Sequence, residues 1–412
     1  MAFAQSSAFA RKCTGDSALR HVKTETSAVT TAWGVDWSEI LIARDLLQNF
    51  YDANRADVSN IRIVAQGGDV TLSAPTGYNL ERLFYLGSEK GPEEVGHYGE
   101  GFKVAVTCLL RDHHVTPIAL SGSQVVCLRI ADEPVAGTKL FPLVYDFFET
   151  QRPCEGTRLI LPHCSPKLVK ALQAGLTHFF YPANSLLGPK LWTAPNGQFL
   201  IYAATDANGH IFYRNLLRGD IARLPLVLVI HKEVKLLEDK IKNDRDRNAF
   251  GDKLMDTFYK TFTRHGMGGD RNAMRVLVEA IRDCWEQGHP LLSALAATAG
   301  YHIRTFFDTA TTQALFANQY FARSYSHQPA LQLRISHLEA QWEQEGRIGL
   351  PGYFVRFGVI SAEHYFAELD KRAQLESQQT HSRAPTVAEE ASILALSRAL
   401  SQFAVPLATL FT

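Results

Sequence analysis

In the stretch Ile42-Ala-Arg-Asp-Leu-Leu-Gln-Asn-Phe-Tyr-Asp-Ala-Asn54, the residues Asp45, Asn49 and Asp52 recur at i, i+4 and i+7. On a helix of 3.6 residues per turn, that spacing stacks them into one narrow polar stripe. The stripe runs beside an apolar one made of Ile42, Leu46, Phe50 and Ala53. A plain polar helix edge is the bland reading, but such edges usually spread Lys, Glu and Gln over a wider face. Carboxylate, amide and carboxylate beside the core side suit chemistry at a metal-bound phosphate. Magnesium keeps most of its waters and takes few protein oxygens, a task that fits the Asn49 amide. Asp45, one turn earlier, is placed to orient and deprotonate a water attacking a phosphoryl group. Asp52, one turn later, would bond a metal-bound water or the floor of the pocket.

A second stretch, Val95-Gly-His-Tyr-Gly-Glu-Gly-Phe-Lys103, supplies what such a ligand needs elsewhere. Gly96, Gly99 and Gly101 allow positive φ and a close approach of backbone amides. A helix is expected to start at Phe102, so its free N–H groups and positive dipole end point back into the loop and bind an anion. Lys103 would add a point charge or else stand as a solvated lysine at a helix start.

The elements that must position these residues are legible in outline. A helix begins near Ser38, whose hydroxyl is a candidate cap. Asn60–Ala74 alternates apolar and polar residues across Gly67-Gly68 and reads as a β-hairpin. Leu80–Lys90 reads as a short helix leading into the glycine-rich loop, and 102–113 as a buried helix. Residues 123–132 and 156–162 read as strands. The pattern is an α+β sandwich over about residues 1–165. A second α/β unit follows over 166–250, with a helix at 166–180, strand-like runs at 197–205, 209–219 and 225–232, and a turn at Asn208-Gly209. It ends in the charge-dense run 237–250. From 251 to 412 the periods are helical, with a polar loop expected at 374–386.

Bulk composition narrows the function classes. The 42 Lys and Arg balance 42 Asp and Glu, so a standing electrostatic clamp on nucleic acid is not indicated. The six cysteines show neither C-x-x-C pairs nor zinc spacing, which fits reduced thiols. His113-His114 and the Cys154, His163, Cys164 group lack a metal-ligand spacing. The first residues make a poor secretion signal, and no apolar run is long enough to span a bilayer. The expectation is a soluble, cytoplasmic protein without a membrane association.

These residues together resemble the GHKL ATPases, the family of gyrase, MutL, the MORC proteins, the large heat-shock chaperone and the histidine kinases. Asp45-Leu-Leu-Gln-Asn49-Phe-Tyr-Asp52-Ala53 is similar to the family's E-x-x-x-N-x-x-D-A box, with Asp in place of Glu. Gly96 to Gly101 resembles its G-x-x-G-x-G box, and the segment from Gly77 to Lys90 the helix and lid that precede it. Gly156-Thr157 resembles the Gly-Thr strand whose hydroxyl helps bind adenine. The resemblance covers roughly residues 38–162 and implies a Bergerat-type ATP-binding domain. In the family an aspartate in a D-x-G-x-G box reads the adenine amine. Aligning Gly77 with the last glycine of that box puts Ser73 at the aspartate position, with Ala74 as the neighbouring choice, and neither is a carboxylate.

What the resemblance implies is ATP with Mg2+ as ligand and cofactor. Asp45 would be the catalytic base and Asn49 the metal ligand. Asp52, Ser73, Gly77, Lys90, Gly96, Tyr98, Gly99, Glu100, Gly101, Phe102, Lys103 and Thr157 would line the nucleotide. The 166–250 unit would be transducer-like, sending Lys240 or Lys242, and less readily Arg245 or Arg247, to the γ-phosphate. Two functions follow: an ATPase whose cycle drives conformational change or homodimerisation, or a nucleotide-gated binding module with little turnover. A homodimer, in one reading dependent on ATP, and an unidentified protein partner for the helical 251–412 region complete the expectation. A histidine kinase fits poorly, and a role on nucleic acid is secondary.

Overall fold

The computed structural model of the chain describes residues 3–33, 36–85, 100–221, 224–241, 244, 248–267, 270–284, 320–350, 352, 355, 359–380 and 392. Among them the fold is mixed α and β, with one antiparallel sheet and one mixed sheet of five strands each. The expected stripe-bearing helix forms as α2 (Glu39–Ala53), after α1 (Phe3–Thr14) and β1 (Arg20–Thr30). Ser38 sits before α2 in extended backbone and its carbonyl accepts from Ile42 N at 3.0 Å, but its hydroxyl makes no capping bond. The cap is therefore supplied by the main chain alone.

The hairpin is present as β2 (Arg62–Gln66) and β3 (Asp69–Ala74), turned by Gly67 and Gly68 at φ 61° and 91°. Two consecutive positive φ values are what a two-residue hairpin turn of type I′ demands. Helix α3 runs over Gly101–Asp112, one residue earlier than expected, and β4 over Ile118–Ile130. The Gly-Thr strand belongs to a much longer strand, β5 (Pro142–Leu161), around which the antiparallel sheet is organised. β4 pairs along one edge of β5; β1 pairs with the first part of the other edge and β3 with its last part.

Alternation along these strands separates two apolar layers. Val126, Leu128, Tyr145, Phe147, Leu159 and Leu161 pack with Ile42, Leu46, Leu47 and Phe50 of α2 and Val104, Ala105 and Leu109 of α3. Ile118, Leu120, Val125, Cys127 and Phe148 face the other way, with Ala10 of α1. Helix α4 (Pro166–Ala174), just beyond the expected cut at 165, sends Leu168 and Leu172 into the same core as α2.

The second sheet orders as β6 (Leu187–Thr193), β7 (Phe199–Ala204), β10 (Leu226–Ile230), β8 (Gly209–Tyr213) and β9 (Leu216–Ile221). Only β10 and β8 run parallel. The run 209–219, read as one strand, is two, because Arg214 and Asn215 turn the chain at φ 51° and 62°. Helices α5 (Lys235–Ile241), α6 (Asp252–Thr261) and α7 (Arg271–Cys284) pack on this sheet through Leu237, Phe258 and Leu277. A smaller core of Phe321, Trp342, Tyr365 and Phe366 joins β11 (Tyr320–Ala322), α8 (Pro329–Gln344) and α9 (Ala362–Thr380). β11 pairs in parallel with β12 (Ile348–Leu350). The loop expected at 374–386 is corrected as far as Thr380, the last described residue of α9: Gln, Glu and Leu are good helix formers, and Arg372 and Glu376 pair at 3.0 Å one turn apart; 381–386 lie outside the described residues. No helix among the described residues is long and apolar enough to cross a membrane.

Candidate functional site

Asp45 is buried, with its side chain 1% exposed, and is held by its own neighbour in sequence. Arg44 donates from Nε at 2.9 Å and Nη2 at 2.7 Å to Asp45 Oδ2. The other carboxylate oxygen abuts the start of α3: a β-carbon on Gly101 would fall 2.1 Å from Asp45 Oδ1. Glycine at 101 is thus required by the carboxylate beside it. The N-terminus of α3, where unpaired N–H groups and the dipole favour negative charge, is the end that meets Asp45.

One turn further along α2, half-buried Asn49 opens into a pocket enclosing about 450 Å³ of empty space, part of it open to solvent. Its walls come from four places. Leu46, Asn49, Phe50, Ala53 and Asn54 belong to α2 and its C-cap; Thr76, Tyr78, Leu80 and Leu83 follow β3. Phe102 comes from the first turn of α3, and Ala119 and Thr157 from the sheet. The lining is mainly apolar, with a few polar groups at defined points, the general character of a small-molecule site.

The register of the sheet decides which strand residues reach it. Thr157 stands opposite Ala74 on β3 and opposite Ser121 on β4, so the three form one row across the sheet on the α2 side. Ser73 pairs with Arg158 on the other face. Of the two choices left open, Ser73 lies on the face away from Thr157 and Ala74 occupies the position on the pocket side. Gly156, at φ 71°, lets β5 come so close to β3 that a β-carbon there would sit 2.0 Å from the Ala74 carbonyl oxygen. Thr157 Oγ1 donates to the Thr76 carbonyl at 2.8 Å and lies 3.3 Å from Ser121 Oγ, which accepts from Tyr78 N at 2.8 Å. Ser121 is a member of this cluster that the sequence reading did not single out.

The remaining expected residues divide. Lys103 is buried rather than solvated, at 2% exposure, and its Nζ donates to the Tyr85 carbonyl at 2.6 Å. Burial pulls its pKa down to about 8, with the nearby Glu100 carboxylate opposing. Glu100 precedes α3 and its carbonyl accepts from Val104 N. Asp52 is half-buried and does not line the pocket; Ala53 does. Gly77 joins Thr76 and Tyr78 beside the pocket, and a β-carbon there would meet nothing nearer than Ser121 Oγ at 3.9 Å. Lys240 donates to Thr257 Oγ1 at 2.5 Å and is absent from the pocket wall. Lys90, Gly96, Tyr98, Gly99, Lys242, Arg245 and Arg247 lie outside the described residues.

The side of α2 turned from the pocket meets the segment that leads into the second sheet. Tyr51 OH donates to the Phe180 carbonyl at 2.6 Å, and its ring stacks on Phe179 at 4.6 Å between centroids. His178, in the 3-10 turn Gly175–His178, has its pKa lowered by burial and further by Arg44, with Asp220 of β9 opposing. Asp220 in turn accepts a hydrogen bond from His210, whose Nδ1 lies 2.8 Å from Asp220 Oδ1. Polar groups therefore run from Asp45 through Arg44 towards β9.

No family model matches the chain, and no curated protein is significantly similar to it.

Proposed function

We propose that the chain binds a nucleoside triphosphate, ATP in the first instance, together with Mg2+, and hydrolyses it to drive a conformational change or homodimerisation. The observation that carries this reading is convergence. Asn49, Phe102 at the start of α3, and Thr157 are far apart in sequence and line one pocket. That supports the resemblance of their three motifs to the GHKL ATPases.

The donor chemistry fits the metal: the Asn49 amide lines the pocket, and a magnesium ion held there would take its other ligands from water and phosphate. When bound, the ion would neutralise charge on the phosphoryl oxygens. The N-terminal turn of α3 would hold the phosphates through its backbone N–H groups. Asp45 would orient the attacking water and take its proton, while Arg44 fixes the carboxylate's orientation.

A nucleotide-gated binding module with little turnover is the second reading, and one observation favours it. Asp45 is buried, is not on the pocket wall and takes two charge-assisted bonds from Arg44 on one oxygen, which limits its access to a water. Measuring MgATP binding by calorimetry and phosphate release on one preparation separates the two. Binding with turnover supports the ATPase, binding without turnover the module, and no binding at millimolar nucleotide refutes both. Asn49→Ala should abolish the magnesium dependence of binding; an unaltered dependence would remove Asn49 as the ligand.

A further inference from the structure

The pocket has two chemically different ends. Asn49 and the α3 N-terminus mark the end suited to phosphate. Asn54 lies five residues along α2, roughly 7 Å further at 1.5 Å per residue, and there the wall is Ala53, Asn54, Thr76, Tyr78 and Thr157. A base bound with its phosphates at Asn49 would meet this far end.

Several polar groups of the far end are already engaged within the protein, while the Tyr78 and Arg158 side chains also reach the wall. Thr76 Oγ1 donates to Asn54 Oδ1 at 2.7 Å, and Asn54 Nδ2 donates to the Phe50 carbonyl at 2.8 Å. The Thr157 hydroxyl is spent on the Thr76 carbonyl, and Ser121 Oγ takes the Tyr78 N–H. No carboxylate lines the pocket among the described residues, and Ala74 fills the place in register with Thr157. Arg158 is on the lining, but strand alternation groups it with Ser73 rather than with Thr157.

Strong selection between similar ligands needs a buried polar group that the wrong ligand leaves unpaired; apolar walls separate near-isosteres only weakly. Adenine, guanine and hypoxanthine present nearly the same apolar faces and differ at their hydrogen-bonding edges. We propose that this pocket binds purine nucleoside triphosphates without selecting the base, so that GTP and ITP serve as well as ATP. This rests on the nucleotide reading above and specifies its ligand class.

The test is calorimetric titration of the full chain with MgATP, MgGTP and MgITP. Dissociation constants within about fivefold of one another are expected, apolar contact being a weak discriminator. A preference for one base above about 50-fold would overturn the inference while leaving the nucleotide reading intact. If none of the three binds, the nucleotide reading falls and the inference falls with it. Thr157→Val gives a second arm: its hydroxyl is committed to Thr76, so its loss should change the ATP and GTP constants by the same factor. A selective loss for one base would show that Thr157 reads the base edge and would refute the proposal. Ala74→Asp, where it folds, places a carboxylate in register with Thr157. It should favour ATP over GTP by about tenfold or more, because a carboxylate accepts from the adenine amine and repels the guanine carbonyl. An unchanged ratio in the folded variant would place the base elsewhere and overturn the proposal.

Discussion

The guanidinium of Arg44 converges on a single oxygen of Asp45, from Nε at 2.9 Å and Nη2 at 2.7 Å, with both side chains buried on α2. Neighbours in sequence on a helix seldom face each other, since i and i+1 diverge. Here the long arginine folds back onto the short carboxylate. The pair is thus oriented from within the helix, and the Oδ1 side is left against the first turn of α3.

From this pair comes a prediction on catalysis. Asp45→Asn should lower phosphate release by about 100-fold or more, the usual contribution of a general base, while the MgATP dissociation constant moves less than threefold. Unchanged turnover would eliminate Asp45 as the base. Arg44→Met should destabilise the chain by about 3–5 kcal/mol, because it strands a buried carboxylate. Denaturant unfolding measures that loss, and a change under 1 kcal/mol would mean the pair is solvated.

A contrast between two glycines tests the same geometry. Gly101→Ala drives a β-carbon into the Asp45 carboxylate and should cost about 1–3 kcal/mol, as overpacking does. It should also depress turnover, since the carboxylate must move. Gly77→Ala meets only Ser121 Oγ, in ordinary van der Waals contact, and should be nearly neutral in melting temperature and nucleotide affinity. Equal effects from both would mean that Gly101 is not constrained by Asp45.

The parts of this architecture that follow short-range rules were legible in the sequence. The period-3.6 stripe of α2, the Gly67-Gly68 hairpin and the apolar run of α3 all appear where the pattern puts them. What stayed hidden depends on long-range pairing. The first part of β5 carries Asp146 in its apolar run, where the strand is held between β1 and β4 and Asp146 accepts from Arg129 Nε at 2.7 Å and Thr24 Oγ1 at 2.8 Å. The choice between Ser73 and Ala74 could not be made from the local string, because a one-residue shift in register exchanges the faces. Ser121 gained its place only through β4 pairing with β5. Arg44 had a readable signal, a charge beside Asp45 amid apolar neighbours, but its target required coordinates.

Burial of His178 gives an acid-side prediction. Its folded pKa lies below the ordinary 6.5, through burial first and Arg44 second, against the pull of Asp220. The unfolded chain therefore takes up the proton at a higher pH than the folded one, and stability is lost as pH falls below about 6.5. His178→Gln should flatten that part of the profile, measured by urea unfolding between pH 5 and pH 7.5. Parallel profiles for wild type and variant would show that His178 keeps its ordinary pKa in the fold.

Lys103 gives the opposite flank. Its pKa is held down to about 8 by burial, against 10.5 for an exposed lysine. Between those values the unfolded chain binds the proton and the folded one does not, so stability rises with pH across the window, by about 3 kcal/mol at most. Below about pH 8 both states are protonated and the burial cost is carried in full. Lys103→Met should remove the rise, with wild type and variant compared by urea unfolding at pH 7.5 and pH 10. If the Lys103 charge also helps hold phosphate, wild-type MgATP affinity should fall above pH 8 while that of Lys103→Met stays level. Loss of affinity at the same pH in both would confine Lys103 to its bond with the Tyr85 carbonyl.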